Sequence, residues 1–162
     1  FVFATPETAA NSLAELVRAA ERVGGGAVDD AGCELARLRS GRPRFGVDFS
    51  DRNYPQEAGL KDLAVSFSKG CYLGQEVVCT LEHRGRLKSY LVRFLSASEP
   101  RAGAAITDAN GAEVGSITSG VYDPEHGHAL SLGYVPRALA CAGKELLAGD
   151  TRVTIQALAG QT

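Results

Sequence analysis

The sequence predicts an α+β protein, with helices in its first half and only β-structure in its second half. In the first half, apolar residues recur every three or four positions, which is the period of a helix buried on one side. From residue 86 onward, short β-rich runs alternate with turn signals, a pattern typical of a small barrel or sandwich. We therefore divide the chain into an α+β domain, residues 1–85, and an all-β domain, residues 86–162.

The first domain contains three predicted helices. Thr5 is a hydroxyl N-cap and Pro6 occupies the first helical position. The glycines at 24–26 end this helix, because glycine readily adopts the left-handed conformation that closes a helix. The sequence FVFA (1–4) reads as a short strand. The predicted helices run from Pro6 to about Val23, from Asp29 or Asp30 to about Gly41, and from Gln75 to about His83.

Residues 42–69 are predicted to be an irregular but ordered loop. Turn-forming residues recur throughout it, yet it carries too many large apolar side chains for a disordered linker. Long loops of this kind in compact domains are usually functional. We expect this loop to line a site.

Five strands are predicted in the second domain. Asn110-Gly111 between two of them is a strong hairpin signal, and Ala148-Gly149-Asp150 marks another turn. The predicted strands are SYLVRFL (89–95), AAITD (104–108), EVGSITSGVY (113–122), HALSLGYV (128–135) and TRVTIQAL (151–158).

Composition argues against several classes of protein. The net charge of −2 includes no basic excess, so direct binding of nucleic acid is not expected. No run of about 18 apolar residues exists, so no membrane span is expected. The cysteines form no C-x-x-C pair, which argues against a metal site, and the lack of a signal peptide favours the cytoplasm. The chain does not begin with Met, and we expect it to be a piece of a longer protein.

The stretch SKGCYLGQEVV (68–78) is the strongest candidate for chemistry. Gly70 and Gly74 allow a sharp turn that holds Cys71. The third predicted helix begins directly after this turn, and its unpaired amides, together with Lys69, would favour a thiolate. The alternative is that Cys71 is a small buried hydrophobe, as most free cysteines are.

The other cysteines and the nearest histidine are weaker candidates. Cys79 and Cys141 lie on apolar stretches and are expected in the core, and Cys33 is interpreted as a helix filler. His83 has no obvious orienting acid, so catalysis by a Cys71–His83 pair is not favoured.

A second candidate cluster joins ARLRSGRPRFGVDF (36–49) with YPQEAGL (54–60). Arginine forks bind carboxylates, and a carboxylate such as Glu57 accepts two hydrogen bonds from a guanidine-like ring edge. Together they would suit a ligand with an aminopyrimidine head and an acidic tail. The alternative, which the residues alone favour, is a solvated helix end. There the arginines would only interact favourably with the negative end of the helix dipole.

These motifs resemble those of a known family. KGCYLGQE (69–76) resembles the K-G-C-Y-x-G-Q-E signature of the YgfZ family, the folate-binding relatives of the glycine-cleavage T-protein. Residues 36–49 are similar to the R-x-x-x-G-x-P-x-x-G-x-D segment of that superfamily, and PQEAGL (55–60) resembles its P-x-E-A-x-L. Residues 113–135 resemble the G-x-V-T-S…G…A-L-x-Y-V pattern of the T-protein C-terminal barrel.

The resemblance implies that the chain is the C-terminal half of such a protein. The first domain would be the end of a ferredoxin-like folate-binding domain, and the second would be the barrel. Cys71 matches the signature cysteine, and Arg37 and Glu57 match residues at the folate. Thr80 stands where the family usually has arginine, a role that Arg84 or Arg86 could take. The remaining signature residues are Lys69, Gly70, Tyr72, Gly74, Gln75 and Glu76.

The family resemblance implies a tetrahydrofolate-dependent protein that supports assembly or repair of iron–sulfur clusters, including those of tRNA-thiolating enzymes. Its partners would be folate and iron–sulfur proteins or cluster carriers. An aminomethyltransferase, which moves a one-carbon unit onto tetrahydrofolate, is the alternative; T-proteins lack the signature cysteine. A folate sensor that does not need the thiol is a third reading. Whether the protein is an enzyme is left open.

Overall fold

The computed structural model describes residues 5–83 and 87–160, and these fall into two compact units that divide between Cys33 and Glu34. The predicted strand at 1–4 lies outside the described residues. The predicted division at 85/86 stays a prediction. None of the described helices combines the length and hydropathy that crossing a membrane requires.

The first unit contains helix α1, Pro6–Glu21, and the beginning of α2, Asp30–Arg39. Thr5 is the N-cap residue as predicted, but its hydroxyl makes no capping bond and instead lies 3.1 Å from the Thr8 hydroxyl. Gly24 has a φ of +79°, so the glycine run does end the helix. No residue of α1 is buried.

The second unit adds two short helices. Helix α4, Gln75–His83, has the predicted bounds. The four-residue helix α3, Lys61–Ala64, lies in the loop predicted to be irregular. One turn of helix carries too few residues to show a periodicity. The α+β fold class is confirmed, because helices precede a closed barrel.

The barrel consists of six antiparallel strands in the order β1-β4-β3-β2-β5-β6, closed by pairing of β1 with β6. All five predicted strands are present, and the Asn110-Gly111 turn joins β2 to β3. Strand β5 was not predicted. The strands are β1 (Ser89–Ser96), β2 (Ala105–Thr107), β3 (Glu113–Asp123), β4 (His128–Pro136), β5 (Glu145–Ala148) and β6 (Thr151–Leu158).

The apolar core consists of two clusters, one inside the barrel and one on its outer face. Val92 and Phe94 belong to the cluster that fills the interior, whereas Leu91 belongs to the other cluster. Successive side chains of a strand point to opposite faces, so this second cluster lies on the outside of β1 and β4. Leu38 of α2 is fully buried in it, and the helix is thereby held against the barrel.

The loop 55–60 is held on the barrel by close backbone contacts. The Leu91 amide donates to the Glu57 carbonyl at 2.8 Å, and the Ala159 amide donates to the Leu91 carbonyl at 2.9 Å. Gly59 has a φ of +70°, and a Cβ added there would lie 2.2 Å from the Ala159 carbonyl oxygen. This approach of two backbones is possible only with glycine. It places Glu57 beside β1.

Gly59→Ala should destabilise the second unit strongly, because the new methyl group collides with backbone that cannot move independently. Gly46→Ala is the matched control, since Gly46 also has a positive φ, +77°, but nothing lies within 4 Å of its Cβ position. We expect the control to lose about 1 kcal/mol from the left-handed conformation alone, and Gly59→Ala to lose about 2 kcal/mol more through overpacking. Urea unfolding measures both, and equal losses would contradict the close-approach argument.

Candidate functional site

A buried carboxylate, Asp48, lies at the centre of the polar network between α2 and the barrel. Its side chain is fully enclosed. One oxygen accepts from the Arg37 guanidinium at 2.6 Å and from the Arg44 amide at 2.9 Å. The other accepts from the Thr118 and Ser119 hydroxyls, each at 2.6 Å. One carboxylate thus joins the loop after α2 to strand β3.

Arg37, a predicted folate contact, uses all five of its N–H donors within the protein. Two of these donors bind Glu34, two bind the Arg42 carbonyl and Asp48, and one binds the Ser119 hydroxyl at 2.9 Å. The bonds from Arg37 lower the pKa of Glu34. In this arrangement Arg37 orders the site, and a bond from it to folate would replace one of these five. Its folate contact stays a prediction.

Tyr134 of β4 carries a buried hydroxyl that has no hydrogen-bond partner among the described residues. Burial raises the pKa of this phenol, and the nearby charges of Glu57 and Asp48 raise it further. Tyr134 pairs with Leu91 in the β1–β4 ladder, and Leu91 binds the Glu57 backbone. No sequence motif marks this residue, because a tyrosine in a strand is most often a packing residue.

Glu57, the second predicted folate contact, is half-buried beside a cavity of about 360 Å³. Its carboxylate accepts a long bond, 3.4 Å, from the Tyr54 amide. The neighbouring Gln56 donates to the Val78 carbonyl of α4 at 2.9 Å. Loop 55–60 therefore contacts both the barrel and the helix that follows the cysteine motif.

The cysteine motif forms an exposed turn directly ahead of α4. Cys71 is exposed and Gly74 has a φ of +83°, which agrees with the predicted glycine hinge. The Tyr72 amide donates to the Gln75 side chain at 3.3 Å, and the Lys69 ammonium lies 4.6 Å from the centre of the Tyr72 ring. The alternative of a buried Cys71 is therefore wrong. Its catalytic role stays a prediction.

The other residues of the motif and the other cysteines differ in how exposed they are. Gly70 has open space at its Cβ position, and Glu76 lies in the first turn of α4, where an acid suits the helix dipole. Cys141 is exposed, so its assignment to the core is wrong; it lies in a turn between the short 3₁₀ helix Arg137–Leu139 and β5. Cys79 is only partly buried. Arg84 and Arg86, the candidate substitutes at Thr80, lie outside the described residues.

A second ionic cluster, not foreseen from the sequence, ties α2 to the β3–β4 turn. Arg39 donates two bonds to the buried carboxylate of Asp123, at 2.7 and 2.8 Å, and one to Glu125 at 2.6 Å. These bonds hold the pKa of Asp123 far below its ordinary value, and His126 lowers it further. Among the described residues, Asp123, Glu125 and His126 are the one group with metal-ligand spacing, but Arg39 binds all three.

Comparisons with known proteins agree with the architecture. Residues 90–162 match the family model of the glycine cleavage T-protein C-terminal barrel domain. The chain is 35% identical over 117 residues to the tRNA-modifying protein YgfZ of Aliivibrio fischeri, covering 68% of this chain and 36% of that protein. It is 36% identical over 114 residues to an aminomethyltransferase of Synechocystis, covering 70% of this chain and 30% of that protein.

One solved structure has a similar fold. The crystal structure of glycine cleavage system aminomethyltransferase T from Bartonella henselae superimposes with a TM-score of 0.66 at 25% identity, covering 77% of this chain and 37% of that one. The chain thus spans about a third of the length of the curated relatives that it matches.

Arg37→Lys should destabilise the second unit by about 3 kcal/mol, because a single ammonium cannot replace the planar fork and leaves the enclosed Asp48 under-paired. Arg42→Lys in the same loop is the control, since the exposed Arg42 side chain makes no bond among the described residues. Urea unfolding of both variants measures the difference. A loss below 1 kcal/mol for Arg37→Lys would contradict the central role of the Asp48 network.

Asp123→Asn should destabilise the protein at pH 7 but progressively less in acid. The folded pKa of Asp123 lies below the unfolded value of 3.8, so its stabilisation is fully present above about pH 4 and is lost as pH falls toward the folded pKa. Denaturant unfolding of wild type and variant from pH 7 to about pH 2 measures this convergence. Glu125→Gln, at the exposed partner of Arg39, should show a smaller difference at every pH.

Proposed function

Residues 90–162 are a glycine cleavage T-protein C-terminal barrel domain, and from that premise we propose that the protein binds tetrahydrofolate and supports assembly or repair of iron–sulfur clusters. The 35% identical relative named tRNA-modifying protein YgfZ supports this choice within the family. The clusters concerned include those of tRNA-thiolating enzymes. The proposed partners are iron–sulfur proteins or cluster carriers.

The observation that carries the proposal is the exposed Cys71 in its turn ahead of α4. Free cysteines are among the most buried residue types in proteins, whereas this one is open to solvent. Cys33 and Cys141 are exposed as well, but Cys71 alone of the three lies in a turn between two glycines directly ahead of a helix. Its turn lies directly ahead of the N-terminus of α4, where a partner that brings sulfur or iron can reach the thiol. Cys71 is therefore proposed as the reactive residue, with Lys69, Gly70, Tyr72, Gly74, Gln75 and Glu76 shaping its turn.

Folate binding is proposed at Glu57 and beside Arg37. A half-buried carboxylate next to a cavity fits the N–H-rich edge of a pterin ring. The residues present also offer an acceptor that lacks a donor, the Gln56 side-chain oxygen. Bound folate would supply a one-carbon carrier. Arg37 keeps the loop between α2 and Glu57 ordered.

Aminomethyl transfer to tetrahydrofolate is the second candidate. It is favoured by the aminomethyltransferase relative at 36% identity and by the Bartonella structure. This function has no use for an exposed thiol at position 71. The two candidates therefore differ in what removal of the Cys71 sulfur would do.

Cys71→Ala should abolish rescue of an iron–sulfur tRNA methylthiolase in cells that lack the protein, because the thiol performs the maintenance chemistry. Wild type and variant are expressed from the native gene, and methylthiolated tRNA is measured by mass spectrometry. Cys141→Ala is the matched control, since Cys141 is also exposed but lies in a turn of the barrel domain. It should rescue as wild type does.

Binding of tetrahydrofolate by the purified Cys71→Ala protein separates the two candidates. Lost rescue with retained binding assigns the thiol to cluster maintenance. Full rescue by Cys71→Ala contradicts that role. Aminomethyl transfer activity in both proteins would establish the aminomethyltransferase instead.

A further inference from the structure

The turn that holds Cys71 also presents an apolar side chain that the described fold does not use. Leu73 follows the cysteine by two residues and is fully exposed (103%), more than any other large apolar side chain among the described residues. A single exposed leucine is common at protein surfaces and needs no explanation by itself. Leu73 differs because backbone geometry fixes its position beside the candidate thiol.

The turn that carries Leu73 is closed by two hydrogen bonds. The Gln75 amide donates to the Tyr72 carbonyl at 3.2 Å, and the Tyr72 amide donates to the Gln75 side-chain oxygen at 3.3 Å. Gly74 has a φ of +83°, as the third residue of a type II turn does. Leu73 is the second residue and therefore lies at the outer corner of the turn.

A positive charge is held on the other side of Cys71. The Lys69 ammonium lies over the Tyr72 ring, 4.6 Å from its centre, and this cation–π contact restricts a long side chain that is otherwise costly to order. No carboxylate of the described residues pairs with Lys69, whereas Lys61 is paired with Glu82. Lys69 is also the only lysine or arginine of residues 68–83.

Val77 adds a second apolar side chain on the first turn of α4, where it is 49% exposed. Thr80, one turn further on the same side of the helix, is exposed too and stands where the family usually has arginine. Glu76 is the exposed acid of this turn. The surface next to the thiol is thus apolar at its centre, with one cation before Cys71 and one carboxylate after it.

We propose that Lys69, Leu73 and Val77 form a docking surface for the protein that exchanges iron or sulfur with Cys71. The assignment rests on the proposed function and adds how the partner is recognised. The partner brings an apolar pocket for Leu73 and an anionic group for Lys69. An iron–sulfur cluster held by cysteine thiolates supplies that negative charge, because its ligands are anions. Two residues span at most about 7 Å, so a partner that encloses Leu73 lies next to the thiol.

Binding to one purified partner tests the role of Leu73. The full-length protein is titrated anaerobically by calorimetry with the iron–sulfur tRNA methylthiolase of the rescue experiment, with and without its cluster. Leu73→Ser should weaken binding of both forms about tenfold or more, because the burial of one leucine side chain is lost. Leu147→Ser is the matched control, since Leu147 is also exposed but lies in β5 of the barrel, and it should leave both affinities unchanged.

Lys69→Gln tests the charge separately. It should weaken binding of the cluster-loaded methylthiolase about fivefold and leave the cluster-free form unchanged, because one exposed charge contact is removed. The affinity of the loaded form should also depend less on salt than in wild type. Lys144→Gln, at an exposed lysine of the barrel domain, is the control. Equal losses for the two forms would overturn the pairing of Lys69 with the cluster.

The stability of the full-length variant decides between the partner and other occupants. Leu73→Ser should leave the urea midpoint unchanged, because the exposed side chain supports nothing in the fold. A lowered midpoint would show that another part of the same protein covers the turn. A wild-type dimer that dissociates in Leu73→Ser, seen by sedimentation, would show that a second copy covers it. Either result overturns the proposal.

Failure of the docking surface is distinct from failure of the proposed function. If Leu73→Ser binds the methylthiolase as wild type does, the docking surface is overturned. The same holds if wild type does not bind this enzyme at all while Cys71→Ala still loses rescue, and the proposed function then stands. Full rescue by Cys71→Ala contradicts the proposed function itself, whatever Leu73→Ser does.

Discussion

The enclosed carboxylate of Asp48 is the interaction on which the candidate site depends. A buried charge is tolerated only when it is fully paired, and Asp48 obtains its four bonds from the Arg37 side chain, the Arg44 amide and two hydroxyls of β3. These donors come from α2, from the loop that follows it and from strand β3. The Asp48 bonds therefore fix the position of the loop after α2 on the barrel. Arg37, whose donors are all used, is better understood as the residue that fixes this loop than as a free ligand contact.

Backbone contacts also fix the position of the segment that contains Glu57. Gly59 lies against Ala159, and the Glu57 carbonyl is held by the Leu91 amide, so that the segment 56–60 continues the surface of the barrel. These contacts do not depend on side-chain identity except at the glycine. The Glu57 side chain can therefore face a cavity while its backbone supports the fold, and Gln56 lines the same cavity while its amide also binds Val78. The backbone thus forms a rigid frame, and polar side-chain atoms on it remain available for binding.

The sequence predicted the elements better than it predicted their contacts. Strong local signals located α4 and the β2–β3 hairpin. Strand β5 was missed because its four residues are too few to show alternation, although the following Gly149 turn was recognised. Asp48 stands out in the loop motif, but its partners Thr118 and Ser119 lie 70 and 71 residues away, and only the folded barrel brings them together. Cys141 was misplaced because apolar neighbours do not reveal that a residue is in an exposed turn.

Helix α4, which follows the exposed Cys71, is only weakly attached to the rest of the second unit. No residue of this helix is buried, and a hydrogen bond from Gln56 and an ion pair from Lys61 join it to the segment 56–62. Segments with few buried contacts open at low free-energy cost. A thiol that passes sulfur or iron to another protein must be approached from outside, and a loosely held turn permits this. A thiol kept for packing would show the reverse, deep burial on a firmly docked element. The position of Cys71 is therefore the one that the proposed exchange with a partner requires.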